Sequence, residues 1–355
     1  MADPRIVRHA EVLVDHSLKV KPGEKILVTG TTAAAPLIRE CCRLILKRGA
    51  HPIQSINIPG TERLMFEYGN EEQLGFMEPA RLLYELADGM INILSEENTK
   101  ELSQADPVKM SVRRRARHPL LQYIMQGGIR WVLTLFPTNA YAQEAEMSLE
   151  EYEQFVYDAV NIDYGELHRS MAAAAEQFNR ASKVRIVGKD TDLTVDISGR
   201  TAVLCSGEHN VPDGEFFFTP NHLLTEGHIY FEWPSVYSGR EVSGIRLEFE
   251  QGKIVRYSAE KGGDLLEEIL NTDEGARYLG ELGIGANFGI TRPTKDILFD
   301  EKIGGSVHLA VGRAYEEAGA GNESAVHWDM VKNLKDGGEI FLDGRLVQKD
   351  GRWVF

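Results

Sequence analysis

Short apolar segments alternate with amphipathic ones over the first half of the chain. Strand-like apolar runs lie at residues 24–30, 51–58, 89–95 and 129–138. Between them, apolar positions recur with helical spacing over residues 35–50 and 80–89. An order of strand, helix and strand is typical of parallel βαβ units, so we expect an α/β domain built on a parallel sheet.

The pattern changes after a long helical stretch at residues 148–182, which we expect to connect two domains. Beyond it, short strand-like segments follow one another with glycine-containing turns between them. One helical segment, residues 263–283, interrupts the strands. The sequence therefore predicts an α/β domain over residues 1–182. A mostly antiparallel β domain with a helical insert, an α+β arrangement, is predicted over residues 183–355.

The length of the chain agrees with two domains, and its net charge limits the classes of function. The chain has 355 residues, which is longer than a domain with a single ordinary core. Hydrophobic residues make up 43% of it, enough for each of two domains to bury a core of its own. The formal net charge of -15 argues against a nucleic-acid-binding surface. The basic segment at residues 112–119 is interpreted as a solvated helix face.

Cysteine usage and the absence of targeting patterns indicate the compartment. The three cysteines, Cys41, Cys42 and Cys205, form no CxxC pair, which argues against a disulfide framework and suits a reducing cytoplasm. The first twenty residues carry charges throughout and lack the apolar stretch of a signal peptide. No apolar run reaches the length of a membrane span, so we expect a cytoplasmic protein without a membrane partner.

The segment "SAVHWDMVKN", residues 324–333, places a histidine and an aspartate on either side of a tryptophan. In an extended strand, successive side chains point to opposite faces, so His327 and Asp329 would share one face and Trp328 the other. An imidazole beside a carboxylate suits a divalent metal such as zinc. It suits an ordinary hydrogen bond equally well, and these residues alone leave both interpretations open.

Other candidate ligands are scattered through the second half of the chain. Glu215 follows a Pro-Asp-Gly turn, and Glu281 lies among apolar and small residues near the end of the predicted helical insert. His308 lies inside an apolar strand, and Tyr315 follows at its end. Carboxylates and imidazoles of this kind suit a pair of zinc-like ions. No compact motif such as HExxH links them, and each residue alone also suits a structural role.

Four of these segments together resemble the thermophilic metallo-aminopeptidases of peptidase family M29. They are "NVPDGE", "GARYLGELGIGAN", "LFDEKIGGSVHLAVGRAY" and "SAVHWDMV", and the resemblance extends over nearly the whole chain. It implies that a dinuclear metal centre is bound by Glu215, Glu281, His308, His327 and Asp329. Tyr315 matches a tyrosine at that centre.

The resemblance also implies an activity. It indicates an aminopeptidase that hydrolyses N-terminal residues from short peptides with a metal-activated water. The implied cofactors are two divalent ions, zinc or cobalt first and magnesium or manganese next. Glu215, Glu281 and Tyr315 are the candidates for proton transfer, and a homodimer is expected.

Two alternatives stay open. Ring-cleaving dioxygenases of the dihydroxypyridine type resemble this family in overall fold and use one ferrous ion, which His308, His327 and Asp329 could hold. A non-catalytic binding protein on the same fold is the second alternative. Three further histidines near Glu215 match no ligand and are interpreted as structural or surface residues: His209, His222 and His228.

Overall fold

A computed structural model of the chain describes residues 3–315 and 318–355. Contacts between residues divide it into two compact units. Of the described residues, those up to Asn161 form the first unit together with Gly207–Val211, and the second consists of Ile162–Ser206 and Pro212–Phe355. The helix at 164–179, which the sequence analysis assigns to the first domain, belongs to the second unit.

The elements are numbered here in chain order. The α-helices are α1 (Pro4–Glu11), α2 (Ala35–Lys47), α3 (Thr61–Tyr68), α4 (Glu71–Gly75), α5 (Glu78–Leu86), α6 (Pro107–Met125), α7 (Asn139–Glu144), α8 (Leu149–Val160), α9 (Tyr164–Asn179), α10 (Gly263–Leu270) and α11 (Ile297–Asp300). The strands are β1 (Lys25–Thr31), β2 (His51–Asn57), β3 (Gly89–Leu94), β4 (Arg130–Leu135), β5 (Lys183–Gly188), β6 (Thr191–Asp196), β7 (Val203–Cys205), β8 (Asn210–Val211), β9 (Glu215–Phe218), β10 (Glu226–Phe231), β11 (Ser235–Tyr237), β12 (Arg240–Val242), β13 (Ile245–Glu250), β14 (Lys253–Ser258), β15 (Leu279–Gly285), β16 (Ser306–Gly312), β17 (His327–Asn333), β18 (Glu339–Leu342), β19 (Arg345–Lys349) and β20 (Arg352–Trp353).

The first unit is built on a five-stranded sheet in the order β2-β1-β3-β4-β8. Every strand pair in it is parallel. The central strands β1, β3 and β4 carry buried apolar residues, as expected of a sheet covered by helices, whereas the edge strand β2 has no buried residue. The predicted α/β domain is confirmed. The last strand, β8, comes from the later part of the chain, which the sequence analysis assigns to the second domain.

Helix α6 carries the basic segment of residues 112–119. Arg114, Arg115 and Arg117 are exposed on it, as expected of a solvated helix face. None of the helices within the described ranges is long and apolar enough to cross a membrane.

Every pair of named strands in the second unit is antiparallel. An eight-stranded sheet has the order β14-β13-β10-β6-β5-β18-β19-β20, and a five-stranded sheet has the order β17-β16-β15-β9-β7. Strands β11 and β12 form a separate hairpin. Apolar residues of the two large sheets and of helices α9 and α10 share one buried core. The predicted antiparallel β domain with a helical insert is confirmed.

Two predicted helical stretches differ from the structure in their extent. The stretch at 148–182 is two helices, α8 and α9, because the side chain of Asp163 accepts a hydrogen bond from the Glu166 amide at 2.9 Å and begins a new helix there. The insert at 263–283 is helical only over α10. Its last part is strand β15, so Glu281 lies in a strand and not near a helix end.

Candidate metal centre

The five-stranded sheet of the second unit has one apolar face and one polar face. Side chains from four of its strands enter the buried core: Phe216, Phe218, Leu282, Ile284, Val307, Leu309, Val311, Trp328 and Met330. The residues that alternate with them belong to the other face. That face carries all five candidate ligands: Glu215 on β9, Glu281 on β15, His308 on β16, and His327 and Asp329 on β17.

Small residues lie beside each of these side chains in the strand pairing. Gly285 pairs with Glu215, Gly283 with His308, Ala310 with both Glu281 and Asp329, and Gly312 with His327. The imidazole of His308 fills the space that a side chain at position 283 would take, because a β-carbon on Gly283 would lie 1.9 Å from His308 Nε2. The small neighbours therefore leave room on this face for large polar side chains.

The turn before Glu215 depends on a second glycine. Gly214 has a φ of +131°, a conformation that other residues rarely adopt. A β-carbon there would also lie 2.8 Å from Cβ of Asn287. The Pro-Asp-Gly turn thus fixes Glu215 at the first position of β9.

His308 lies between the two glutamates. Its Nε2 is 3.0 Å from Glu281 Oε1 and 3.2 Å from Glu215 Oε2. The His308 side chain is fully buried, and the two carboxylates are almost so. One imidazole nitrogen thus meets both carboxylates in a space with almost no access to water.

His327 and Asp329 form the other half of the cluster. His327 Nδ1 donates to the carbonyl oxygen of Arg313 at 2.7 Å, which leaves Nε2 facing the carboxylates. That Nε2 lies 3.3 Å from Asp329 Oδ2 and 4.0 Å from Glu281 Oε2. The ring of Tyr315, with its centroid 4.6 Å from that of His327, covers the imidazole and is 41% exposed.

Several oxygen atoms at this site lack the partners that buried polar atoms normally have. Among the described residues, Glu215 Oε2, Glu281 Oε2 and Asp329 Oδ1 are buried and accept no hydrogen bond. A buried polar atom without a partner costs free energy unless something else satisfies it. Carboxylate oxygens and imidazole nitrogens together are a suitable donor set for divalent ions. These residues fit a metal centre, and Glu281, His308 and Asp329 offer ligand atoms within 4.8 Å of one another.

The protein without metal balances its buried charges with protons. Burial raises the pKa of Glu215 to about 8, against the opposing effect of Lys302. Burial alone would lower the pKa of His308, but the hydrogen bond to Glu281 and the charge of Glu215 raise it to about 10. In the same way Asp329 raises the pKa of His327 to about 9. Protonated imidazoles therefore offset the carboxylates where a metal ion would otherwise do so.

Sequence reasoning missed one cation and one carboxylate at this site. Lys302 is fully buried, with Nζ 3.5 Å from Glu215 Oε1 and in contact with Glu301 Oε1. Glu301 also groups with Glu215 and His308 as a set of ligand-type atoms. The Glu-Lys pair lies three residues before β16, and no local pattern in the sequence distinguishes it from an exposed pair.

The three other histidines lie outside the cluster. His209 is exposed and stacks on Trp131 with a centroid separation of 4.7 Å, and His222 meets the ring of Tyr278 edge-on. His228 is exposed on β10. These positions agree with the structural and surface roles predicted for them.

Buried carboxylates and imidazoles on one face of a sheet are typical of metal-dependent enzymes, in which such groups bind ions that act on a substrate. The particular family follows from comparison with known proteins. The model of the family described as thermophilic metalloprotease, M29, matches residues 2–353, and the chain belongs to that family.

Two relatives are similar in sequence over almost their whole length. Aminopeptidase 2 of Geobacillus stearothermophilus is 28% identical over 97% of this chain and 94% of its own. Aminopeptidase T of Thermus aquaticus is 28% identical over 97% of each chain. The family match, with relatives that are named aminopeptidases, confirms the prediction of a metallo-aminopeptidase.

Two solved structures share the fold. Wild-type AmpT from Thermus thermophilus superposes with a TM-score of 0.84 at 24% identity over 99% of both chains. The 2,5-dihydroxypyridine dioxygenase of Pseudomonas putida gives a TM-score of 0.65 at 15% identity, over 98% of this chain and 96% of its own. At these identities both likenesses concern the fold alone.

Proposed function

We propose that the protein removes N-terminal residues from short peptides with two divalent ions held by Glu215, Glu281, His308, His327 and Asp329. The observation that carries the proposal is the set of buried carboxylate oxygens on one sheet face that no described residue satisfies. Glu281 lies between the two imidazoles, so it would hold metal together with both of them. Zinc and cobalt suit this mixture of oxygen and nitrogen ligands best, with magnesium or manganese as the next candidates.

The chemistry divides between the ions and the side chains. When bound, two divalent ions supply an acidified water and polarise the scissile carbonyl. Burial and the nearby carboxylates raise the pKa of Tyr315, so its phenol stays protonated and suits a hydrogen-bond donor near His327. Glu215 and Glu281 are the candidates to hold the proton that passes to the leaving amine, since acid-base groups must lie within reach of the reacting atoms.

Removal of the metal should abolish peptide hydrolysis, because the acidified water and the polarised carbonyl that the ions would supply are then lost. We expect a chelated and dialysed protein to lose activity on aminoacyl chromogenic substrates and to regain it with zinc or cobalt. N-terminally acetylated versions of the same peptides should be poor substrates, because the free amine that anchors the substrate is gone. Full activity after thorough metal removal would contradict the proposal.

Metal loading should release protons. At pH 7 the raised pKa values of about 10 for His308 and about 9 for His327 keep both imidazoles protonated in the metal-free protein. An imidazole must lose that proton to become a ligand, so metal affinity should rise with pH up to the pKa of each ring. Calorimetric titration with zinc in two buffers of different ionisation enthalpy measures the protons released. Equal heats in both buffers would count against these two ligands.

The dioxygenase alternative rests on three of the same residues. His308, His327 and Asp329 form two histidines and a carboxylate, which is the ligand set of many single ferrous sites. Buried Glu215 and Glu281 on the same face favour two ions instead. A single iron held by two histidines and one carboxylate would leave these two further buried carboxylates without a bound cation. Iron that restores ring cleavage, with no peptide hydrolysis, would favour the alternative.

Assembly and location are finer parts of the proposal. We expect a cytoplasmic homodimer whose enclosed site admits short peptides and spares folded proteins. Light scattering at micromolar concentration measures the mass directly. A mass near the 39.7 kDa of one chain would count against the dimer.

A further inference from the structure

Lys302 is a lysine buried among carboxylates. Its side chain has no exposed surface, and its Nζ contacts Glu301 Oε1 and lies 3.5 Å from Glu215 Oε1. Burial of an ammonium group costs free energy of folding unless carboxylates pair with it. The contact with Glu301 and Glu215 therefore serves either the stability of the fold or the arrangement of the site. Because it is fully buried, Lys302 does not reach a substrate.

The two oxygens of Glu215 have different surroundings. Oε1 faces Lys302, whereas Oε2 lies 3.2 Å from His308 Nε2 and accepts no hydrogen bond from any described residue. The backbone on either side of the lysine is also held: its amide donates to Phe299 O at 3.0 Å, and its carbonyl accepts from the Asn287 amide at 2.9 Å. The ammonium therefore occupies a defined position on one side of the Glu215 carboxylate.

We infer that Lys302 is a positioning residue for the metal centre. It holds Oε1 of Glu215, so that Oε2 alone is presented to an ion beside His308. Groups that orient metal ligands in this way usually change metal affinity by about 10–100-fold when they are removed. The inference rests on the proposed function, since it concerns the same centre.

A second buried lysine provides a matched control. Lys332 on β17 also has no exposed side-chain surface, and its Nζ lies 3.0 Å from Glu232 Oε2. Strand alternation places it on the face of β17 opposite His327 and Asp329. Lys332→Met therefore removes a buried lysine ion pair from the same sheet without removing a contact to a candidate ligand.

The test is titration of the metal-free protein with cobalt(II), followed by calorimetry and by the visible absorption of bound cobalt. We expect Lys302→Met to weaken at least one cobalt site by about 10–100-fold and to change the cobalt spectrum. Lys332→Met should lower the melting temperature but keep the parental cobalt affinity. The double variant Lys302→Met with Glu301→Gln removes the buried pair together, so it should fold better than the single variant and still bind cobalt weakly.

The outcomes separate the two proposals. A parent protein that takes up no cobalt would overturn the proposed function and the role of Lys302 with it. A parent that loads normally, beside a Lys302→Met protein of equal affinity and spectrum, would overturn the role of Lys302 alone. Failure of both Lys302 variants to fold would mean that the lysine holds the fold and not the ligand, which also overturns the inference.

Discussion

Replacement of Gly283 by alanine should destroy the proposed metal centre, although Gly283 itself has no side chain that could bind a metal. The added β-carbon would lie 1.9 Å from Nε2 and 2.0 Å from Cε1 of His308, far inside van der Waals contact. The imidazole must then move away from Glu281 and Glu215. We expect loss of metal and of peptidase activity, with a destabilisation of about 1–3 kcal/mol from overpacking. Metal analysis, activity and thermal unfolding measure the three effects.

Gly188→Ala is the control for this prediction. Gly188 also lies in a strand, β5, but a β-carbon there would come no closer than 3.4 Å to any neighbour, which is ordinary contact. It should keep its metal and its activity. If Gly283→Ala keeps its metal and its activity as Gly188→Ala does, His308 does not lie this close to β15 and the site is arranged differently.

Replacement of His327 by alanine should abolish turnover while leaving the fold almost intact. The ring is on the polar face of the sheet and contributes a candidate ligand atom, whereas it is not part of the apolar core. Loss of a direct ligand should reduce activity by more than about 100-fold, since even the indirect supports of ligands account for 10–100-fold. Metal content should fall. The metal-free protein should melt somewhat lower than the parent, because Asp329 loses its imidazole partner, but it should lose less stability than a core variant, because no apolar core packing is removed.

The neighbouring tryptophan should give the opposite result. Trp328 is buried in the core, and its Nε1 donates to Ser235 Oγ at 2.8 Å. Trp328→Ala should therefore cost about 3–5 kcal/mol of unfolding free energy and affect metal binding only through stability. A His327→Ala protein that binds metal and cleaves peptides like the parent would contradict the assignment of His327 as a ligand.

Alternation of side chains predicted the arrangement of the segment 327–329, and the structure agrees with it. His327 and Asp329 share one face of β17 and Trp328 lies on the other, since period-two geometry is local and depends only on the strand. The parallel and antiparallel halves of the fold were predictable for the same reason, because hydrophobic spacing reports element type.

Long-range neighbours were not predictable from these patterns. The sequence places Glu281 near a helix end because the glycines of "LGELGIG" obscure the strand. The alternation of that strand also shifts at a register irregularity between Leu279 and Glu281. Lys302 was missed because nothing local distinguishes a buried lysine from an exposed one. Its burial depends on Glu215 and Glu301, which the fold brings to it. The ligand set itself was accessible only through the family resemblance and stays a prediction.

The most direct measurement of the central claim is anomalous diffraction from crystals of the cobalt-loaded protein. We expect two peaks per chain, one beside Glu215, Glu281 and His308 and the other beside Glu281, His327 and Asp329. A single peak at His308, His327 and Asp329 would contradict the two-ion centre and favour a mononuclear site. Peaks elsewhere, with none on this face of the sheet, would contradict the metal centre altogether.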